Sequence, residues 1–234
     1  MVKKTILEAD NRELEEGAIM NVDEALSARY AARDFMPKPV DREVMRSVLK
    51  AAERTPSWAN TQPWEVFVAD GAALDRIRDG FTACFDKGAA PEMEVPPTEN
   101  WSERTKQCMR ELGFDQREGE FGEAFKNFAA LNHHFFNAPT VVYLCMDKVL
   151  SEWSLYDLGA YSQSLMLSAT EHGLNTIPAA NLVFFPKVIR EELHIPENLE
   201  IVIGIAVGYA DPADGVNSFR SARRPFEDVV HFSA

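Results

Sequence analysis

The chain has 234 residues, 46% of them apolar, enough to fill one substantial core. Its 24 Lys and Arg stand against 37 Asp and Glu, a formal net charge of −13. That balance argues against a nucleic-acid backbone or an anionic membrane surface as partner, because both need clustered cations. The longest apolar stretch, 201–210, is interrupted by glycine and falls far short of the ~20 residues that span a bilayer. The first twenty residues carry Lys3, Lys4, Glu8, Asp10, Arg12, Glu13, Glu15 and Glu16, so no apolar signal-peptide segment is expected there. Cys84, Cys108 and Cys145 are widely spaced and odd in number. They read as reduced thiols of a cytoplasmic protein, without metal-ligand spacing. His133 and His134 are adjacent and point to different helix faces, so no metal site is expected there either.

In chain order, residues 1–20 read as a charged N-terminal arm. Asn21 caps a helix with Glu24 three residues on, and Val22, Ala25, Leu26 and Arg29 share a face. Arg29 then lies at the helix end and Arg33 in the following turn. Asp41 opens a second helix with Val44, Met45, Val48, Leu49 and Ala52 inward, stopped by Pro56. A strand is predicted over 64–69, then a helix capped by Asp70 with Leu74, Ile77 and Phe81 inside.

Residues 86–120 differ in composition. Pro91, Pro96 and Pro97 mark a loop, and Trp101, Thr105, Cys108, Met109 and Leu112 recur at helical spacing before Gly113. Phe121, Phe125, Phe128, Leu131 and Phe135 then form the stripe of another helix. The apolar run 140–146 predicts a strand buried on both faces. A central helix is predicted over 157–172, with Leu158, Tyr161, Leu165 and Ser168 on one face and Gly173 ending it. A short strand, 174–177, leads into Pro178-Ala179-Ala180-Asn181. A minor helix over 186–193 and a β-branched strand over 199–207 follow. From Asp211 the chain reads as loop, with a possible last strand at 228–232. No Gly-x-Gly-x-x-Gly follows a strand and no P-loop is present, so a dedicated dinucleotide fold is absent by sequence.

Between the second helix and the first strand lies Thr55-Pro56-Ser57-Trp58-Ala59-Asn60-Thr61-Gln62-Pro63-Trp64. Two prolines fix φ and remove two N–H donors, so this loop neither continues a helix nor joins a sheet centre. It presents hydroxyls and amides beside two indoles, a set suited to a flat, polar-edged heterocycle. Taken alone, a capped turn with two core tryptophans accounts for it better.

Three elements in order change that reading. They are Arg29-Tyr30-Ala31-Ala32-Arg33-Asp34-Phe35, then Pro56-Ser57-x-x-Asn60-x-Gln62-Pro63-Trp64, then Arg223-Arg224-Pro225. Over about residues 21–228 the pattern resembles the nitroreductase family of FMN-dependent oxidoreductases, in the branch of nitrobenzene and nitrobenzoate reductases. The resemblance implies an α+β, three-layer fold in which a central mixed, mainly antiparallel sheet is flanked by helices. The C-terminal arm would be exchanged in a homodimer. The domain would run 21–234, with a lid insertion at about 86–120.

The same resemblance implies roles. Arg29 and Arg223 would hold the FMN phosphate, and Arg33 would sit near N1 and the C2 carbonyl. Pro56, Ser57 and Asn60 would reach the flavin from the other subunit. Pro178, Ala179 and Ala180 would line the ring near N5, and Asp157 could accept from N3–H. Asp157 serves equally well as an N-cap of the central helix. No side chain acts as catalyst; NAD(P)H and a nitroaromatic or quinone acceptor would use the ring in turn, in a ping-pong cycle. Trp58, Trp101, Arg104 and Arg117 are candidate contacts for a small aromatic substrate. For the last three, a surface helix with solvated charges explains the residues as well.

Two departures stand out. Tyr30-Ala31 replaces the commoner Arg-Ser, which leaves only backbone contact to the phosphate there. Ala180-Asn181 stands where some relatives carry Glu-Gly. Reductive dehalogenation on the same scaffold, or flavin binding without turnover, are the competing readings.

Overall fold

A computed structural model describes residues 20–112, 127–212 and 215–233. Its core is a four-stranded sheet of β1 (Glu65–Asp70), β2 (Thr140–Asp147), β3 (Asn175–Ala179) and β4 (Leu199–Gly208), in the order β1-β2-β4-β3. All three pairings are antiparallel. The parallel element is an isolated bridge from Ala31 to Thr176, laid on the outer edge of β3. β2 and β4 occupy the middle, which explains their nearly unbroken apolar sequences: both faces of each are covered.

Helices form the outer layers. On one face α2 (Arg42–Ala52) packs against α6 (Glu152–Glu171), and both cover Val142, Leu144, Ile205 and Val207. On the other, α3 (Gly71–Asp86), α5 (Phe128–His133) and α7 (Pro186–Leu193) cover Val141, Tyr143, Cys145, Ile201 and Ala206. Successive β2 residues therefore enter opposite cores, as the period of two requires. Phe81, Phe135, Leu74, Ile77 and Leu165 are sealed from water, each contributing about 1.5–3 kcal/mol of transfer free energy.

Local signals work as their chemistry dictates. Asn21 and Glu24 form a reciprocal capping box on α1 (Val22–Ala28), and Asp41 accepts from Glu43 and Val44 N–H at the start of α2. Gly173, at φ +71°, ends α6. Gly204 has a different role. A Cβ there would lie 2.5 Å from Leu182 Cβ, so only glycine lets the 3-10 turn Ala180–Val183 sit on β4.

Several expectations need correction. α6 begins at Glu152, so Asp157 lies in its second turn and is no N-cap. Asp70 precedes α3 but makes no side-chain cap bond. The aromatic stripe does not run on as one helix to Phe135, because Phe135, Phe136 and Asn137 take φ of +56°, +57° and +59° and turn the chain. Phe121 and Phe125 lie outside the described residues. β3 contains Pro178 and Ala179; proline is tolerated on this edge strand. The tail forms a 3-10 turn, Phe226–Asp228, and no strand over 228–232. On α1 only Ala25 is buried, with Val22 and Leu26 facing outward.

Candidate active site

Thr55 ends the α2 turn buried, donating to Ala52 O at 2.7 Å and to Ser164 Oγ at 2.8 Å. Beyond Pro56, the Ser57 hydroxyl accepts the Gln62 N–H at 2.9 Å, and the Trp58 N–H donates to Asp157 Oδ2 at 3.0 Å. Three non-glycine residues of this loop, Ala59, Asn60 and Gln62, hold φ of +48°, +59° and +47°. Such conformations cost about 1–3 kcal/mol each and persist only where the surroundings dictate them. The outcome is a rigid projection with Pro56 and Asn60 exposed.

The two tryptophans separate. Trp64 stacks on Tyr161 with centroids 4.8 Å apart and belongs to the core. Trp58 is 76% exposed and does not, so the reading of two core tryptophans fails for it.

The second cluster joins the two ends of the chain. Arg29, at the C-cap of α1, has its affinity for the proton lowered, first by burial and then by the charge of Arg223. Among the described residues no carboxylate or hydrogen bond engages the Arg29 guanidinium. Among the described residues Arg223 donates only to Ser221 O, Ser221 Oγ and Ala222 O. The charge of Arg223 thus acts on Arg29, in a protein of net charge −13. Unpartnered, that arrangement is unfavourable; an anion between them would make it favourable.

Arg33 is buried. Its guanidinium donates to Ala31 O at 2.9 Å and lies 5.0 Å from the Phe219 ring centroid. Tyr30 is also buried, and the Arg220 guanidinium lies 3.7 Å over its ring. Arg220 is thus stacked and also bonded to Asn217 O and Phe219 O. Tyr30 Oη and Thr176 Oγ1 are buried without a hydrogen-bond partner among the described residues. Asn217, a residue the sequence reading passed over, ties the segments together. Its side chain accepts from Arg33 N–H at 2.7 Å and Asp34 N–H at 3.2 Å, and donates to Asp34 O at 2.8 Å. An Asn in a Gly-Val-Asn-Ser stretch looks like an ordinary turn residue, so sequence offered little signal for it.

Pro178 and Ala180 are exposed at the end of β3, with Ala179 half-buried between them. No hydrogen bond or ion pair among the described residues joins Arg29 or Arg223 to the 56–62 loop. In the insertion, Glu94 runs back to the body of the protein. It pairs with Arg190 at 2.6 Å and accepts the Ile201 N–H at 2.6 Å. α4 (Glu103–Leu112) buries none of its residues, and Trp101, 45% exposed, precedes it. Arg104 is exposed, and Arg117 lies outside the described residues. Among the described residues no cluster of three potential metal ligands occurs, and no helix is long and apolar enough to cross a membrane.

Comparison with known proteins gives these groups a context. The family model "Nitroreductase family" matches residues 26–209. The chain is 32% identical to a 4-nitrobenzoate reductase of Pseudomonas putida over 216 residues, 90% of this chain and 94% of that one. It resembles the crystal structure of the FMN-dependent nitroreductase NfnB from Mycobacterium smegmatis in complex with NADPH. That match has a TM-score of 0.79 and 30% identity, covering 91% of this chain and 97% of that one. An FMN- and NADPH-dependent NfnB from Sphigopyxis sp. strain HMH matches with a TM-score of 0.78 and 25% identity, over 91% and 98% of the chains. With its alternating sheet, its paired arginines and matches that span nearly the whole chain, this protein belongs to the nitroreductase family.

Proposed function

We propose that the protein is an FMN-dependent oxidoreductase that uses NAD(P)H to reduce small nitroaromatic acceptors, with quinones as further substrates. The observation that carries this reading is that Arg29 and Arg223, from opposite ends of the chain, lie near enough for one charge to act on the other, with no carboxylate on the Arg29 guanidinium among the described residues of an acidic protein. Guanidinium forks match phosphate oxygens in bidentate geometry, and a phosphate dianion relieves their repulsion.

Bound FMN would supply the storage of a hydride between donor and acceptor. The chain's residues do the rest by position and charge. Arg29 and Arg223 hold the phosphate. Arg33 supplies a buried cation that favours negative charge at the pyrimidine end of the ring. Pro178, Ala179 and Ala180 present backbone at the end of β3 toward the ring's reactive side. Pro56, Ser57 and Asn60, on their rigid projection, serve the flavin of a second subunit. The protein is accordingly a homodimer with its flavins in the seam. If donor and acceptor use the same site in turn, ping-pong kinetics follow, and catalysis needs no side-chain nucleophile. Trp58, Trp101, Arg104 and Arg117 remain candidate walls of the acceptor site.

The test is a visible spectrum of the purified protein, followed by NADH and NADPH oxidation with and without 4-nitrobenzoate. Bound flavin with acceptor-dependent turnover and parallel double-reciprocal plots is expected. Bound flavin without turnover would leave a flavin-binding protein, and colourless protein after FMN reconstitution would end the reading.

A further inference from the structure

Asn217 is fully buried, yet it belongs to a tail segment whose neighbours Ser218 and Arg220 are exposed. Its amide uses both ends. Oδ1 takes two consecutive N–H groups, of Arg33 and Asp34, and Nδ2 returns a proton to the Asp34 carbonyl. Three bonds to two adjacent residues fix translation and rotation of one segment against the other. Two cation–ring contacts flank this tie in alternating sense: Arg33 over Phe219, and Arg220 over Tyr30.

The tie has an electrostatic task. Arg29 lies just before the 30–34 segment, and Arg223 lies just after 217–220. Both are cations, and Arg29, already disfavoured as a charge by its burial, also feels the charge of Arg223. Left to themselves the two segments would splay until solvent screened the charges. The Asn217 bonds, sheltered from water, oppose that and keep the guanidiniums in register before any anion arrives.

We propose that Asn217 is a positioning residue of the flavin-phosphate site, which preorganises Arg29 and Arg223 without touching the ligand. The inference rests on the FMN reading above, and its test separates the two. Apo-protein is titrated with FMN and with riboflavin, which has the same ring and no phosphate. In Asn217→Ala the FMN dissociation constant rises by at least about tenfold, as expected for losing well-placed charged hydrogen bonds, while that for riboflavin stays within about twofold. The salt dependence of FMN binding flattens in parallel. Equal weakening of both ligands would overturn the proposal, because the residue would then act on the whole fold; so would unchanged FMN binding. Wild-type protein that binds neither ligand would instead defeat the flavin reading. If Asn217→Ala is recovered unfolded, Asn217→Ser, which keeps one acceptor, carries the same comparison. Failure of both variants to fold in saturating riboflavin would show a purely structural role and end the proposal.

Discussion

The Trp58 backbone N–H donates to the Asp157 carboxylate across 3.0 Å, linking two positions 99 residues apart. Asp157 is buried within α6, so its end of this bond is sheltered from water. It anchors the loop one residue before its first left-handed residue, Ala59. Asp157→Ala leaves the Trp58 N–H without its acceptor and costs about 1–3 kcal/mol of stability. Asp157→Asn keeps an acceptor oxygen and costs less than half of that. Chemical denaturation of both variants checks the ordering. Equal losses would show that the charge of Asp157, not its bond to Trp58, is what matters.

Arg29→Ala separates stability from binding. Removing one of two repelling guanidiniums, with no carboxylate partner lost among the described residues, leaves the apo-protein as stable or slightly more stable. FMN binding weakens by about 1.5–3 kcal/mol, roughly 10- to 150-fold. Melting of stripped protein and fluorescence titration with FMN measure the two effects. A drop in apo stability with unchanged affinity would mean that Arg29 is a structural residue.

Much of this was legible from residue patterns. The capping signals of Asn21 and Asp41, the stripe of Leu74, Ile77 and Phe81, and the bounds of α7 came out where periodicity put them. What local pattern could not show was where distant segments meet. Asp157 read as an N-cap because its partner, Trp58, is fixed by tertiary packing of α2 on α6 and not by sequence spacing. Trp58 and Trp64 are alike in sequence, yet only Trp64 faces Tyr161. The tail pattern 228–232 alternates like a strand but finds no ladder partner among the described residues. The stacking of Arg220 on Tyr30, 190 residues away, likewise leaves no local trace.

That tail supports a prediction of its own. Phe226, Val229 and Phe232 are 59%, 54% and 86% exposed, a run of apolar surface unusual on a free chain end. A variant ending at Pro225 is expected to elute as a monomer with weakened flavin binding, while the full chain elutes as a dimer. Light scattering on both decides it; a truncated dimer of unchanged mass would remove the exchanged arm.

Glu94 holds the insertion to the body of the protein. Its carboxylate lies against Arg190 at 2.6 Å, with the arginine side chain 10% exposed. Arg190 also donates to the carbonyls of Ile195, Pro196 and Leu199. Glu94→Ala strands a buried charge and costs about 3–5 kcal/mol, toward the lower end because those carbonyls remain. Glu94→Gln keeps an acceptor for the Ile201 N–H and costs less. Limited proteolysis should cut the 86–112 segment of Glu94→Ala before the rest of the chain. Uniform cutting throughout would show that the pair does not hold the insertion separately.

Alkaline pH tests the core itself. Burial, reinforced by Glu94 and Glu65 and opposed by Arg190, pushes the Cys145 thiol from 9.0 up to about 12. Burial, with Glu53 behind it, raises Tyr161 from 10.0 to about 12, and burial raises Tyr143 as well. In each case the native state keeps a proton that the unfolded chain releases. Stability from these groups is therefore fully present below pH 9 and is lost as pH climbs from about 9 toward 12. Denaturation midpoints should be level between about pH 7 and 9 and fall beyond, with Cys145→Ala falling less steeply. Across the level range Cys145 should resist alkylation in the native protein and react only after unfolding. Midpoints that stay constant to about pH 10.5, or rapid native labelling of Cys145, would mean that water reaches the sheet interior that β2 encloses.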